Sequence, residues 1–300
     1  MMRFGSRFGV NKKEVDFFMA AILKQSLKTI EHYKNEQPHY GELLDILQDI
    51  LILREEKRRR SGASLVSMEE KIAERKIGGG FPLVDFSGGV LHLEEPEAYF
   101  RDLLEIGRKK SPEEVDRIFE ELETGALSYE KVVRESFSDA GEETPAEEDE
   151  DDDESGDVFD LLSLFIEESL RPSLERVAET YAPLLKKTPW SEGFCPICGR
   201  EPKIAEIREE EGRRFLFCNQ CGYEWSFNRI RCPFCGNDDQ DSLAYFTVEG
   251  EEQYRVDVCN NCNRYIKTVD FRKMDRAACL DVEDFATIHL DILANEEGYE

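Results

Sequence analysis

Apolar residues recur at helical spacing through most of the first 187 positions. Val15, Phe18, Met19, Ile22 and Leu23 fall on one stripe, and Leu43, Leu44, Leu47, Ile50 and Leu51 on the next. Ser26 interrupts the first stripe where the spacing asks for an apolar residue. Asn11 is placed to cap the first helix, and Gln37-Pro38 separates the two. A third helix is expected over 63–76. Gly78-Gly79-Gly80 then leads into a short extended segment at 81–86, read as a flexible connector. A phosphate loop is excluded there, because no Gly-Lys-Ser/Thr follows the glycines. Helical spacing returns over 95–109 with Tyr99, Phe100, Leu103, Leu104 and Ile106. Ser111-Pro112-Glu113-Glu114 opens another helix with a capping residue, a proline at the first position and acids in the first turn. A last long helix runs from Val158, Phe159, Leu161, Leu162, Leu164 and Phe165 through Val177, Tyr181, Leu184 and Leu185, and ends at Pro189-Trp190.

Beyond that point the period changes from about 3.6 to 2. Tyr223, Trp225 and Phe227 alternate with Glu224, Ser226 and Asn228, and Tyr254, Val256 and Val258 alternate with Arg255 and Asp257. Turn signals at Glu209-Glu210-Glu211-Gly212 and Glu249-Gly250-Glu251 would close two hairpins. The chain then returns to helical spacing with Cys279, Val282, Phe285 and Ile288. These patterns give an α+β fold class: an N-terminal all-helical domain (1–187), a small β-rich module (188–272), and a C-terminal helix (273–300) packing back on the fold.

Charge narrows the function. The chain carries 66 acidic residues against 39 basic ones, a formal net charge of −27. The stretch 139–157 holds twelve of the acids and no base, and its polar, apolar-poor composition makes 138–156 a disordered acidic loop. Without it the charge is still about −15, so the acidity belongs to the whole chain and opposes nucleic acid as a partner. No run approaches the roughly 20 apolar residues of a membrane span, and no secretory signal precedes the first helix. A cytoplasmic location is expected. His32, His39, His92 and His289 are scattered, and none neighbours a nucleophile. Arg208, Arg213, Arg214, Arg229 and Arg231 either gather as a basic patch or pair with the nearby glutamates.

The chemistry is concentrated in cysteine. Eight of the nine cysteines form four Cys-x-x-Cys pairs within 68 residues: Cys195/Cys198, Cys218/Cys221, Cys232/Cys235 and Cys259/Cys262. The two-residue gap lets both sulfurs of a pair face one ion about 2.3 Å away, with turn amides donating to them. Four such pairs in an intracellular chain read as ligands rather than disulfides. Nineteen residues separate the first pair from the second, and 23 the third from the fourth, room for one hairpin each. Pairing in order places Cys195, Cys198, Cys218 and Cys221 on one ion and Cys232, Cys235, Cys259 and Cys262 on another. The result is a tandem zinc-ribbon or rubredoxin-like module with two metal ions, zinc or iron, both of which accept tetrahedral sulfur. A closed four-sulfur site has no open position for water or substrate, so the ions serve shape rather than catalysis and no enzyme is expected. Cys279 stands apart as a small buried hydrophobe.

The order of elements from Trp190 to Tyr299 resembles the FdhE formate dehydrogenase accessory proteins. It comprises Trp190-x-x-Gly-Phe-Cys-Pro-Ile-Cys-Gly-x-x-Pro202, Arg214-Phe215-Leu216-Phe217-Cys218-x-x-Cys-x-x-Glu-Trp225, Ile230-Arg231-Cys232, Cys235-Gly236-Asn237, Cys259-x-x-Cys-x-x-Tyr265-Ile266-Lys267-Thr268, the segment 281–291, and Glu296-Glu297-Gly298-Tyr299. The resemblance implies a cytoplasmic accessory factor that binds the catalytic subunit of a molybdenum- or tungsten-dependent formate dehydrogenase and helps it become active. It carries metal ligation onto all eight cysteines. Charge and the short apolar runs separately oppose nucleic acid and membrane insertion, and a homo-oligomer is an allowed assembly. Asn263 departs from the glycine common after the fourth pair, and the acidic insertion has no counterpart. Two readings compete: a rubredoxin-like redox iron protein and a nucleic-acid-binding zinc ribbon.

Overall fold

The computed structural model describes residues 12–60, 62, 64–138 and 161–300. The acidic run, the cap at Asn11 and the apolar pair Val158 and Phe159 lie outside them, as do the side chains of Val15 and Phe18. Helices α1 (Lys12–Glu36) and α2 (Gly41–Arg60) are separated at Gln37-Pro38 by a short 3-10 turn (Pro38–Tyr40), as the proline requires. The third helix is shorter and later than the apolar spacing suggests: α3 spans Glu70–Gly78. Leu65 and Val66, which precede it, are buried in non-helical backbone, with the Leu65 N–H donating to Ser173 O and Leu65 O accepting from His92 N–H. Periodicity alone does not separate such a buried irregular pair from a helix turn.

Helices α4 (Glu94–Gly107), α5 (Pro112–Thr124) and α6 (Tyr129–Ser138) follow, then the long α7 (Leu161–Lys187). Pro112 opens α5 as expected, but the Ser111 side chain makes no capping bond, and Gly125 ends the helix in the left-handed conformation. α7 is the axis of the helical part. Phe165, Ile166, Leu170, Leu174, Val177 and Ala178 are all fully buried, and the first five each contribute roughly 1.5–3 kcal/mol through the apolar surface they remove from water. No helix among the described residues is long and apolar enough to cross a membrane.

The period-2 region forms one six-stranded sheet from β1 (Ile204–Arg208), β2 (Arg213–Phe217), β3 (Glu224–Phe227), β4 (Leu243–Phe246), β5 (Tyr254–Cys259) and β6 (Arg264–Val269), in the order β3-β2-β1-β6-β5-β4. Each half is a hairpin plus a third strand, all antiparallel; the halves join through the parallel pair β1–β6. The strand order therefore repeats along the sheet rather than inverting. Strand alternation sends the two sets of side chains to different partners. Ala205, Leu216, Trp225, Phe227 and Ile266 join the α4–α7 core. Ile204, Phe217, Tyr254, Val256, Val258 and Val269 pack instead with Leu290 and Ala294.

The α+β class holds, with one change at the C-terminus. Two helices stand there in place of one, α8 (Leu280–Ala286) and α9 (Ile288–Glu296), broken at Thr287, whose hydroxyl donates back to Glu283 O. Val282 and Ala286 of α8 pack with Ile30, Tyr33, Leu44, Leu47 and Leu51 of α1 and α2, so the chain end closes against its beginning.

Candidate metal centres

The four cysteine pairs sit on turns of one design. In each, the N–H of the residue after the second cysteine donates to the carbonyl of the first: Gly199 to Cys195, Gly222 to Cys218, Gly236 to Cys232 and Asn263 to Cys259, at 2.7–3.1 Å. That residue must turn left-handed, at φ +77, +66, +74 and +56 respectively. Glycine does so freely, and asparagine is among the few other residues that tolerate it. Asn263 is thus the same turn built with a different residue, which explains the departure at that position.

The turns bring the sulfurs together in two groups of four, Cys195/Cys198/Cys218/Cys221 and Cys232/Cys235/Cys259/Cys262, every sulfur within 4.8 Å of its group. Cys195–Cys221 and Cys198–Cys218 stand at 3.4 and 3.5 Å, and Cys232–Cys262 and Cys235–Cys259 at 3.7 Å. A disulfide would close to about 2.05 Å. A tetrahedron of sulfurs about 2.3 Å from a central ion has edges of about 3.8 Å. Both groups fit a tetrahedral ion, in the sequential grouping, and no histidine or carboxylate joins either group among the described residues.

Their surroundings differ. All four cysteines of the first group are buried, whereas Cys235 is exposed and Cys262 half-buried in the second. In the first group, burial pushes the Cys195 and Cys221 thiols well above their ordinary range. Cys218 goes well below it, because neighbouring sulfhydryls donating to its sulfur outweigh the same burial. Loading an ion there must release protons. In the second group, slight burial raises Cys235, but the Asn237 backbone N–H and the Asn261 side chain more than offset it and bring the thiol down to about 7.

Helical residues hold the first group. The segment after the three glycines is no loose connector: Leu83 and Val84 N–H donate to Pro196 O and Ile197 O of the first turn, at 2.9 and 2.8 Å. Lys76 Nζ donates to Pro82 O and Leu83 O. The second turn is clamped by α7, with Arg171 Nη1 donating to Asn219 O and Gln220 Nε2 to Glu167 O. Arg171 is 2% exposed, and its charge is met by Glu175 at 3.0 Å and Asp281 of α8 at 3.1 Å. Asp281 also meets Arg54, which pairs with Glu168 at 2.6 Å, and Tyr99 donates to that carboxylate. Burial would raise the Asp281 carboxyl, but Arg171 and Arg54 hold it below the ordinary range. Gly222 leaves room for this clamp, since a Cβ there would lie 2.5 Å from Arg171 Nη2.

The second group is held from the sheet and its linker. Arg214, 3% exposed, donates to Asn228 O and Arg231 O, tying down the linker that enters the third turn. Burial lowers its guanidinium to about 10. Arg231 Nε donates to Gly236 O, and Arg264 lies 3.8 Å over the Phe234 ring while pairing with Glu201. Asn237 and Asn261 amides donate to Cys259 and Cys235 sulfurs at 3.6 and 3.5 Å. Gly193 joins the halves, because a Cβ there would strike Pro233 O at 1.7 Å.

The arginine cluster divides. Arg208 pairs with Glu206 and Glu224, and Arg213 with Glu209, while Arg214 and Arg231 serve backbone carbonyls. His32 pairs with Glu36 and His289 with Glu251. Cys279 stands at the N-cap position of α8, with Thr29 Oγ1 donating to its sulfur at 3.6 Å. Arg171, Glu175, Glu168 and Arg54 belong to no sequence motif. Their signal in the sequence was charge on positions that the apolar spacing of α2 and α7 would bury. A second such group is Glu283, fully buried and accepting from both Tyr33 and Tyr254 hydroxyls while paired to Arg276 at 2.6 Å.

Residues 194–229 match the family model of the FdhE central domain, and residues 230–300 that of the FdhE C-terminal domain. A protein FdhE homolog of Aquifex aeolicus is 29% identical over 289 residues, 95% of each chain. A homolog of Pseudomonas aeruginosa is 34% identical over 118 residues, 36% of this chain and 37% of its own. The crystal structure of the FdhE protein from Pseudomonas aeruginosa superposes with a TM-score of 0.66 at 20% identity, over 94% of this chain and 92% of that one, and shows the same fold. Both family domain models, a relative aligned over 95% of each chain and the shared fold agree in likening this chain to the FdhE family.

Proposed function

We propose that this protein is an accessory factor that binds the catalytic subunit of a molybdenum- or tungsten-dependent formate dehydrogenase in the cytoplasm and is needed for that subunit to become active. It carries no catalysis of its own. Its eight paired cysteines hold two ions, zinc or iron, whose work is to fix the shape of the sheet and its turns. The observation that carries this reading is that the FdhE central and C-terminal domain matches span 194–300 and take in all eight cysteines. The closed sulfur groups support it, since four thiolates complete a tetrahedral ion and leave no position for substrate.

The test is capture of a tagged chain from its native host, with metal analysis of the same sample and a deletion strain assayed for formate oxidation. The formate dehydrogenase catalytic subunit should co-purify, with two ions per chain, and the deletion should lose formate oxidation. Failure of capture together with unchanged formate oxidation in the deletion would remove the reading. A redox iron is favoured by one observation, the exposure of Cys235, and only at the second group. A colourless preparation carrying zinc alone would sink that variant.

A further inference from the structure

The two edges of the sheet are not alike. At the β3 edge, Trp225 and Phe227 are buried against the helices. At the β4 edge, Ala244 and Tyr245 are exposed, Tyr245 by 62%. Asn260 N–H donates to Ser242 O at 2.9 Å, just outside the β4–β5 ladder. Antiparallel pairs alternate between bonded and non-bonded. Ser242, Ala244 and Phe246 therefore face β5, while the backbone N–H and C=O groups of Leu243 and Tyr245 point outward, away from the sheet. Leu243 stands opposite Cys259, so this open edge begins one strand from the second cysteine group.

The segment that carries the edge bears charge of one sign, and the cation beside it, Arg255 at 5.2 Å from the Tyr245 ring centroid, is paired with Asp257. From Pro233 through Tyr254 the chain carries Asp238, Asp239, Asp241, Glu249, Glu251 and Glu252 and no lysine or arginine. Asp238, Asp239 and Asp241 lie exposed before β4, and Glu249 and Glu252 lie exposed after it. Glu251 pairs with His289. With a net charge of −27 on the whole chain, a second copy or an acidic segment is repelled from this edge and a cationic one drawn to it.

We propose that the β4 edge binds an extended, basic peptide segment of the client as an added strand, its backbone pairing with Leu243 and Tyr245 and its cations with the acids at either end. This rests on the accessory reading and deepens it by naming the chemistry of the segment recognised.

The experiment titrates the metal-loaded full chain into a labelled peptide of alternating valine and threonine flanked by arginines, followed by fluorescence anisotropy. Two further peptides replace the flanks with glutamate or carry N-methyl groups on alternate backbone amides. Binding of the first should weaken roughly tenfold with either change and fall with salt. Tyr245→Pro removes the ring and an outward N–H whose loss an edge strand tolerates, and should lose binding roughly tenfold; Tyr245→Ala removes the same ring but keeps the N–H and should retain binding. Changing Asp238, Asp239 and Asp241 to Asn together, a surface change that does not endanger folding, should weaken binding and flatten its salt dependence. Equal binding of the N-methylated or glutamate-flanked peptide overturns the proposal. So does a concentration-dependent dimer that Tyr245→Pro abolishes, which assigns the edge to a second copy. If the formate dehydrogenase subunit co-purifies equally with wild type and Tyr245→Pro, the edge proposal falls and the accessory reading stands. If it co-purifies with neither while the peptide binds, the accessory reading falls and takes the client assignment with it.

Discussion

The two cysteine groups share spacing, turn geometry and the left-handed residue that closes each turn, yet they are built into different surroundings. The first is part of the largest hydrophobic core: Cys195, Cys198, Cys218 and Cys221 pack with Leu170, Leu174, Leu216 and Trp225. Its second turn is gripped by a buried arginine that reaches from α7 to α8. The second lies at the surface, with Cys235 open to solvent, and is oriented by arginines that bond backbone carbonyls and stack on rings. Equal ligand sets therefore do not imply equal roles. An ion in the first group would hold helices and sheet together, whereas an ion in the second would order one turn pair and the strand edge beside it.

The largest expected effect separates the groups directly. Cys218→Ser should leave a chain without a cooperative thermal transition, because losing that ion exposes uncompensated thiols inside the core. Cys262→Ser should lose one ion per chain and keep the helical circular dichroism and a cooperative melt. Equal damage from the two changes, read by metal content and melting of each variant, would dissolve the distinction.

Next in size is the clamp. Arg171→Met leaves the buried Glu175 without its guanidinium and the half-buried Asp281 with Arg54 alone, and should cost about 3–5 kcal/mol in denaturant unfolding. A cost below about 1 kcal/mol would mean that the first group does not depend on it.

The Asp281 carboxyl sharpens the same point through pH. Its folded value lies below the ordinary one of about 3.9, so the stability it contributes is complete above that value and is lost as pH falls through the folded value. Asp281→Asn should cost about 2 kcal/mol at pH 7 and make the unfolding free energy less steep below about pH 4. An unchanged acid limb would contradict the pairing.

The clamp also marks where the sequence ceases to be readable. Four Cys-x-x-Cys pairs announce their turns because the ligands must be local, and the two hairpins follow from turn residues and alternation. The apolar spacing of α7 places Arg171 on a buried face, but nothing local says what meets its charge there. Its burial depends on Asn219 and Asp281 arriving from 48 and 110 residues away. Likewise the Gly78–Gly80 stretch reads as slack, yet its neighbours Leu83 and Val84 bond the first turn, because the pairing partner lies more than a hundred residues on. Asn263 shows the reverse case: a departure in letter that the backbone at φ +56 renders equivalent.

The smallest effect belongs to the rim of the second group. Glu201→Gln removes an exposed pair with Arg264 and should cost less than about 0.5 kcal/mol, since exposed ion pairs contribute little. Metal content should not change. A loss of the second ion would show that the rim, rather than the sulfurs and their turns, sets its retention.

The comparison is tested most directly by the kinetics of metal release to a chromophoric chelator from the native chain at neutral pH, with Cys262→Ser run beside it. The account predicts two phases of one ion each, the fast one absent in Cys262→Ser and the slow one coinciding with loss of helical signal. A single phase releasing both ions together, or a fast phase that survives in Cys262→Ser, would contradict it.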